Sequence, residues 1–274
     1  MRRVWILVLL IAPLAGQDTP PDRGPNFYSV EKERALGEKL VEEYRRTARV
    51  IDDAEVKAYL NDVGQRIAAK AQGPPFTYTF ELIDDDQILL HEPVAFPGGA
   101  VFVPASLILA AKSEDELAGM MAHAIAHIAA RHGTKQATRG ELVNQATIPL
   151  IFMGGWAGYA VRQNQAIGIP LGFLKFMRQN ELAADTLAVQ SMAAAGYNPA
   201  ALADYVERVQ PLKPPPFEPT VPYPDRETRL AGLRTAIGAL PAASYPAHDG
   251  FAAIQEAVKR LDVKPAKAPP RLAR

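Results

Sequence analysis

Apolar and polar positions change period several times along the chain. Val56, Leu60, Val63 and Ile67 recur at helical spacing, which predicts a helix opened by Asp52 and Asp53 and closed at Gly73-Pro74-Pro75. Ser29 is placed to cap an earlier helix running to about Val50, with Glu31 and Glu33 at the positive end of its dipole. Lys32 occupies the position where a reciprocal capping box would need Glu or Gln. Residues 76–83 are aromatic and branched and partly alternate, so they read as a strand. Pro97-Gly98-Gly99 reads as a turn, and Ala100, Val101, Phe102 and Val103 as a second strand. Pro104 then marks that strand as ending early or lying on an edge.

Ser113-Glu114-Asp115-Glu116 forms a capping box. The helix it opens is expected to run to about Arg131, with Gly133 as its left-handed cap. Two apolar patches follow, 148–159 and 167–176, each too short to span a bilayer. They read as buried or substrate-facing, with membrane-surface contact as the alternative. A further helix is expected over 176–195, stopping at Gly196, and a shorter one after Asn198-Pro199 to about Val209. Seven of the fourteen residues 211–224 are proline, which no regular helix survives. A last amphipathic helix covers 250–261, before a basic Pro/Ala tail. The pattern predicts an α+β fold, predominantly helical, with a small sheet and no internal repeat. It divides into a folded domain over 29–210, a Pro-rich wrap over 211–248 that completes it, and a C-terminal helix and tail over 249–274.

The first residues change this picture. Arg2 and Arg3 precede an apolar run from Val4 to Ala15, then Gly16 and the polar Gln17. That order is expected of a secretory signal peptide over 1–16, with 17–28 as a flexible leader; a short N-terminal membrane anchor is the alternative. A bacterial lipoprotein would carry Cys where Gln17 stands, so no lipid anchor is expected, nor a stable membrane anchor after cleavage. The 274 residues hold 30 basic and 30 acidic side chains and no cysteine. Cleavage after Gly16 would leave 28 basic against 30 acidic residues. Zero net charge argues against a general nucleic-acid binder. The missing cysteines exclude disulfides, a thiol nucleophile and thiolate zinc ligands. The hydrophobic share of 48% is ample for a globular core.

His123 and His127 stand four apart on a predicted helix. At 3.6 residues per turn their imidazoles share one face and can hold one metal ion. An isolated pair of this kind reads first as histidines satisfying local hydrogen bonds. His132, five residues on, is expected to point away. Glu181 and Asp185 repeat the four-residue spacing on a second helix. One carboxylate there can bind metal while the other accepts the N–H of a ligating His. The competing reading, a solvated helix face, suits poorly the apolar Leu182, Ala183 and Ala184 between them.

Together these residues resemble the HtpX-like and CAAX-prenyl-protease-like zinc metallopeptidases, within the gluzincins, and most closely their soluble periplasmic members. That family carries His-Glu-x-x-His on one helix and Glu-x-x-x-Asp on a later one; the matching positions are His123, Ala124, His127, Glu181 and Asp185. Pro97-Gly98-Gly99, the Ala-Ala-Arg-His-Gly run from Ala129, and the segment from Ala194 to Pro199 match as well. The resemblance covers roughly 29–233. It implies one Zn²⁺ held by His123, His127 and Glu181, with Asp185 behind them. It implies a small sheet with an edge strand beside the zinc-site helix, and an extended polypeptide paired along Gly98, Gly99, Ala100, Val101, Phe102 and Val103.

Two positions depart from the pattern. Ala124 stands where the family has its catalytic glutamate. A carboxylate there takes the proton of metal-bound water and passes it to the leaving amine; a methyl group does neither, although metal affinity can survive. Ala124 is therefore an engineered inactivation, a natural loss, or a position whose task another acid has taken. Glu116, on the same helical face, is read as engaged in capping. Tyr223 stands where the family has a His near the metal, and Arg229 matches a family Arg, so the resemblance implies that both belong to the catalytic groups. The Tyr223 hydroxyl could stabilise an oxyanion, contact zinc, or merely pack. The expected function is a secreted or periplasmic zinc metalloendopeptidase, engaged in envelope protein quality control and impaired by Ala124. The alternative is a non-catalytic, zinc-stabilised client-binding protein or chaperone.

Overall fold

The computed structural model describes residues 24–84, 91–142, 171–211, 224–261 and 263. The signal-peptide reading, the first apolar patch, the first four residues of the second and Tyr223 lie outside the described residues. The fold is α+β and predominantly helical. Helix α1 (Val30–Thr47) leads to strand β1 (Val50–Ile51), helix α2 (Ala54–Ala68), strand β2 (Thr79–Ile83), strand β3 (Val94–Ala95) and strand β4 (Ala100–Pro104). Helices α3 (Ala105–Ala110), α4 (Glu114–Ala129), α5 (His132–Leu142), α6 (Leu171–Ala195), α7 (Ala200–Val209), α8 (Arg226–Gly238) and α9 (Phe251–Arg260) follow.

Helix starts follow local chemistry. Ser29, Asp53, Ser113 and Asp225 each cap a helix by accepting the backbone N–H three residues on. Glu116 completes its box one residue early, accepting from the Lys112 N–H at 2.7 Å, and also pairs with Arg208. Its expected part in capping holds.

Among the described residues four strands run in the order β1-β2-β4-β3. β2 and β4 are parallel, with Phe80 opposite Val101, while β1 and β3 pair antiparallel on the two outer sides. This corrects the edge-strand expectation. β4 is an inner strand: Val94 and Ala95 pair with Phe102 and Val101, so β3 is outermost on that side. Pro104 is tolerated because it stands at the last position of the strand. β3 escaped sequence reading because two residues carry no period. Gly98 and Gly99 make the β3–β4 turn at φ 88° and 124°, a region that side chains with a Cβ avoid.

One continuous core joins α2, the sheet, α4, α6, α7, α8 and α9 around Leu60, Phe80, Val103, Met121, Met192, Tyr205 and Leu233. α4 is buried along almost its whole length, between the sheet and α6. Gly37 is where α1 meets the β3–β4 turn, and a Cβ there would land on the Pro97 carbonyl. Backbone cannot yield as a side chain can, so Gly37→Ala should cost about 1–3 kcal/mol; urea unfolding of the pair reads this directly.

Two further expectations need correcting. α4 ends at Ala129, and it is Arg131, at φ 60°, that takes the left-handed position, not Gly133, which lies inside α5. Arg131 is held there by Glu33 and the Tyr28 carbonyl. Helix α8, unforeseen in the Pro-rich wrap, starts at Arg226 once the prolines end.

Candidate metal centre

α4 and α6 pack side by side and turn their chemistry toward each other. His123 and His127, one turn apart on α4, bring their Nε2 atoms to 3.1 Å. From α6, the Glu181 carboxylate lies 3.3 Å from His123 Nε2 and 3.6 Å from His127 Nε2. These three expected ligands converge on one point. A fourth group joins them: Glu92 Oε1 stands 2.8 Å from His123 Nε2. One ligand atom from each of Glu92, His123, His127 and Glu181 lies within 4.8 Å of every other. Oxygen and imidazole donors suit zinc. At metal–ligand distances of about 2.0–2.2 Å a tetrahedral ion sets its ligand atoms about 3.3–3.6 Å apart. The two Glu181 contacts match that edge and the contacts of His123 with His127 and Glu92 are a few tenths of an ångström shorter, so the cluster is compact enough to hold one ion.

Behind the ligand face, each His is oriented through its other nitrogen. His123 Nδ1 bonds Asp185 Oδ1 at 2.8 Å, which leaves Nε2 for the ion. Asp185 stands one turn along α6 from Glu181. His127 Nδ1 lies 3.2 Å from His132 Nδ1. The expectation that His132 points away is thus overturned. It assumed one unbroken helix, whereas the left-handed turn at Arg131 reverses the chain and folds His132 back. Arg229, expected among the catalytic groups, is wholly buried behind His123 and Asp185. Its Nε and Nη2 donate to the two Asp185 oxygens at 2.7 and 2.9 Å. Its Nη2 also lies 3.4 Å from His123 Nδ1. Ala124 is 2% exposed and packs with the apolar core.

The electrostatics are those of a buried charge network. Burial opposes a charge on His123, but hydrogen bonds to Asp185, Glu181 and Glu92 push its pKa well above the ordinary value. Burial also opposes ionisation of Glu181 and Asp185. His127 and His123 hold Glu181 well below the usual carboxylate range, and Arg229 with His123 lowers Asp185. His132 is pushed well down, first by burial and then by His127.

Glu92 escaped sequence reading because it stands alone ahead of Pro93 and a buried apolar stretch. A charged residue next to a run that must be inside was the signal available. His91, at φ 51°, precedes it and places Nδ1 3.1 Å from the Tyr205 hydroxyl on α7.

A small sheet over a helix with paired histidines, closed by a carboxylate from a second helix, defines a metallopeptidase scaffold. Residues 54–237 match the family described as peptidase family M48, and the chain belongs to it. It is 30% identical over 236 residues to the Beta-barrel assembly-enhancing protease of Escherichia coli (strain K12), covering 79% of this chain and 47% of that protein. The protein of the same name from Yersinia pestis is 30% identical over 240 residues, at 81% and 48% coverage. A putative beta-barrel assembly-enhancing protease of Vibrio cholerae is 30% identical over 242 residues, at 80% and 49%. The chain spans about half the length of these curated relatives. Among the described residues no helix is long and apolar enough to cross a membrane.

Proposed function

We infer that this chain is an exported, zinc-binding M48 scaffold that engages extended polypeptides of the cell envelope and whose hydrolytic step is impaired by Ala124. The observation that carries the reading is the convergence of His123, His127 and Glu181 on two packed helices of an M48 chain. Export is supported by Arg2, Arg3 and the apolar run after them, and the envelope setting by the names of the relatives. His123, His127 and Glu181 would hold the ion, Asp185 and His132 would orient the imidazoles, and Arg229 would hold Asp185. A bound zinc ion supplies Lewis-acid polarisation of a carbonyl and an acidified water. The protein's own share of the reaction is a proton acceptor beside that water, and Ala124 has none.

Ala124 equally favours a second reading, a zinc-stabilised client-binding protein without turnover. Strand pairing would then serve recognition alone. With β4 enclosed, the outer strand β3, two residues from Glu92, offers the backbone for it.

Metal analysis of the purified protein beside His123→Ala and Glu181→Ala tests the shared premise. One zinc per chain is expected, and a sharply weakened site in both variants. A protein that takes up no zinc near neutral pH would remove both readings. Turnover of casein by the unaltered chain would exclude the non-catalytic one.

A further inference from the structure

The general base is missing at position 124, and an additional carboxylate stands in the same cluster. Glu92 comes from neither helix of the family motif but from the segment leading into β3. It is 1% exposed, so its carboxylate is as deep as the histidines. The segment is anchored. His91 holds a left-handed conformation that few side chains adopt, and its ring meets Tyr205 on α7. On the other side, Val94 and Ala95 are locked in register against β4. Glu92 is thus positioned between two fixed points and cannot swing out without undoing one of them.

We propose that Glu92 is a fourth protein ligand, closing the metal site into a coordinatively saturated, structural centre. This rests on the metal binding argued above and deepens it. Zinc in catalytic sites keeps three protein ligands and one open position for water or substrate, whereas structural sites are filled by four. Glu92, His123, His127 and Glu181 supply four donor atoms that all lie within 4.8 Å of one another, close enough to share one ion. Charge agrees with this count. Two carboxylates in one buried site repel each other; metal binding displaces the protons of its histidine ligands, and the carboxylate pair then balances a divalent cation. Asp185 and Arg229 cancel separately behind them. Ala124 and Glu92 then belong together. The first removes the proton acceptor, the second takes the place where a reacting water would stand. The ion holds the β3 segment, α4 and α6 together.

Two measurements on the full chain test this, neither of them an activity. Competition against a chromogenic chelator gives zinc affinity, and Glu92→Gln should weaken it by more than the roughly 10–100-fold that losing an outer hydrogen-bond partner costs. Glu92→Asp keeps the carboxylate on a shorter arm and should fall between, which guards against a Gln variant that fails to fold. The second uses Co²⁺-loaded protein and acetohydroxamate, a bidentate probe that needs an open coordination position. The visible bands of the unaltered chain should not respond, while those of Glu92→Gln should shift. Zinc bound with unchanged affinity in Glu92→Gln, or a hydroxamate response already present in the unaltered chain, overturns the fourth ligand and leaves the three-ligand reading standing. Absence of zinc from the unaltered chain overturns both.

Discussion

Ala124→Glu combined with Glu92→Gln is expected to raise casein or peptide cleavage by about 10²–10⁴-fold over the unaltered chain, the usual share of a general base. Ala124→Glu alone should stay near background, because a proton acceptor without an open coordination position has no water to work on. The two substitutions address separate defects of one site. The first places a carboxylate on α4 directly after His123, and the second frees the position that Glu92 occupies 2.8 Å from His123 Nε2. Activity should vanish with a chelator and return with zinc. If the single variant already reaches the double variant's rate, Glu92 does not block the site. If both variants bind one zinc and neither cleaves anything, the peptidase reading of this scaffold is lost and client binding remains.

The second large effect is on stability. Arg229→Ala should cost about 3–5 kcal/mol, the range found when one partner of a buried ion pair is removed. Arg229 and Asp185 are both essentially inaccessible, and the guanidinium grips both carboxylate oxygens. Without it, Asp185 is left charged in the interior beside Glu181 and Glu92. Arg229→Lys should rescue only part, since an ammonium cannot form the two-pronged contact. Because Asp185 orients His123, zinc affinity should fall in the same variant by about 10–100-fold. Urea unfolding with and without zinc measures both. A loss within about 1 kcal/mol, the value of an exposed pair, would mean that the network does not carry the junction of α4, α6 and α8.

Much of this was legible in the chain. Ser29, Asp53 and Ser113 marked their helices, because capping is decided within four residues. His123 with His127 and Glu181 with Asp185 could be placed on common faces, because helical spacing sets direction. What stayed hidden has two causes. β3 is two residues long and pairs with a strand further along, and His132 returns where Arg131 adopts a left-handed turn held by Glu33, so both depend on partners distant in sequence. α8 has a local cap at Asp225, but it directly follows a proline-rich segment that hid its start.

The sequence by itself determined that His123 with His127 and Glu181 with Asp185 share helix faces, that position 124 carries a methyl group, and that helix predominates, since these follow from residue identity and local period. Only the tertiary structure decided that β4 is an inner strand, that Arg229 grips Asp185, and that Glu92 joins the two histidines. Sheet order, buried charge pairing and ligand convergence are set by packing between segments far apart in the chain, and no local pattern encodes such packing.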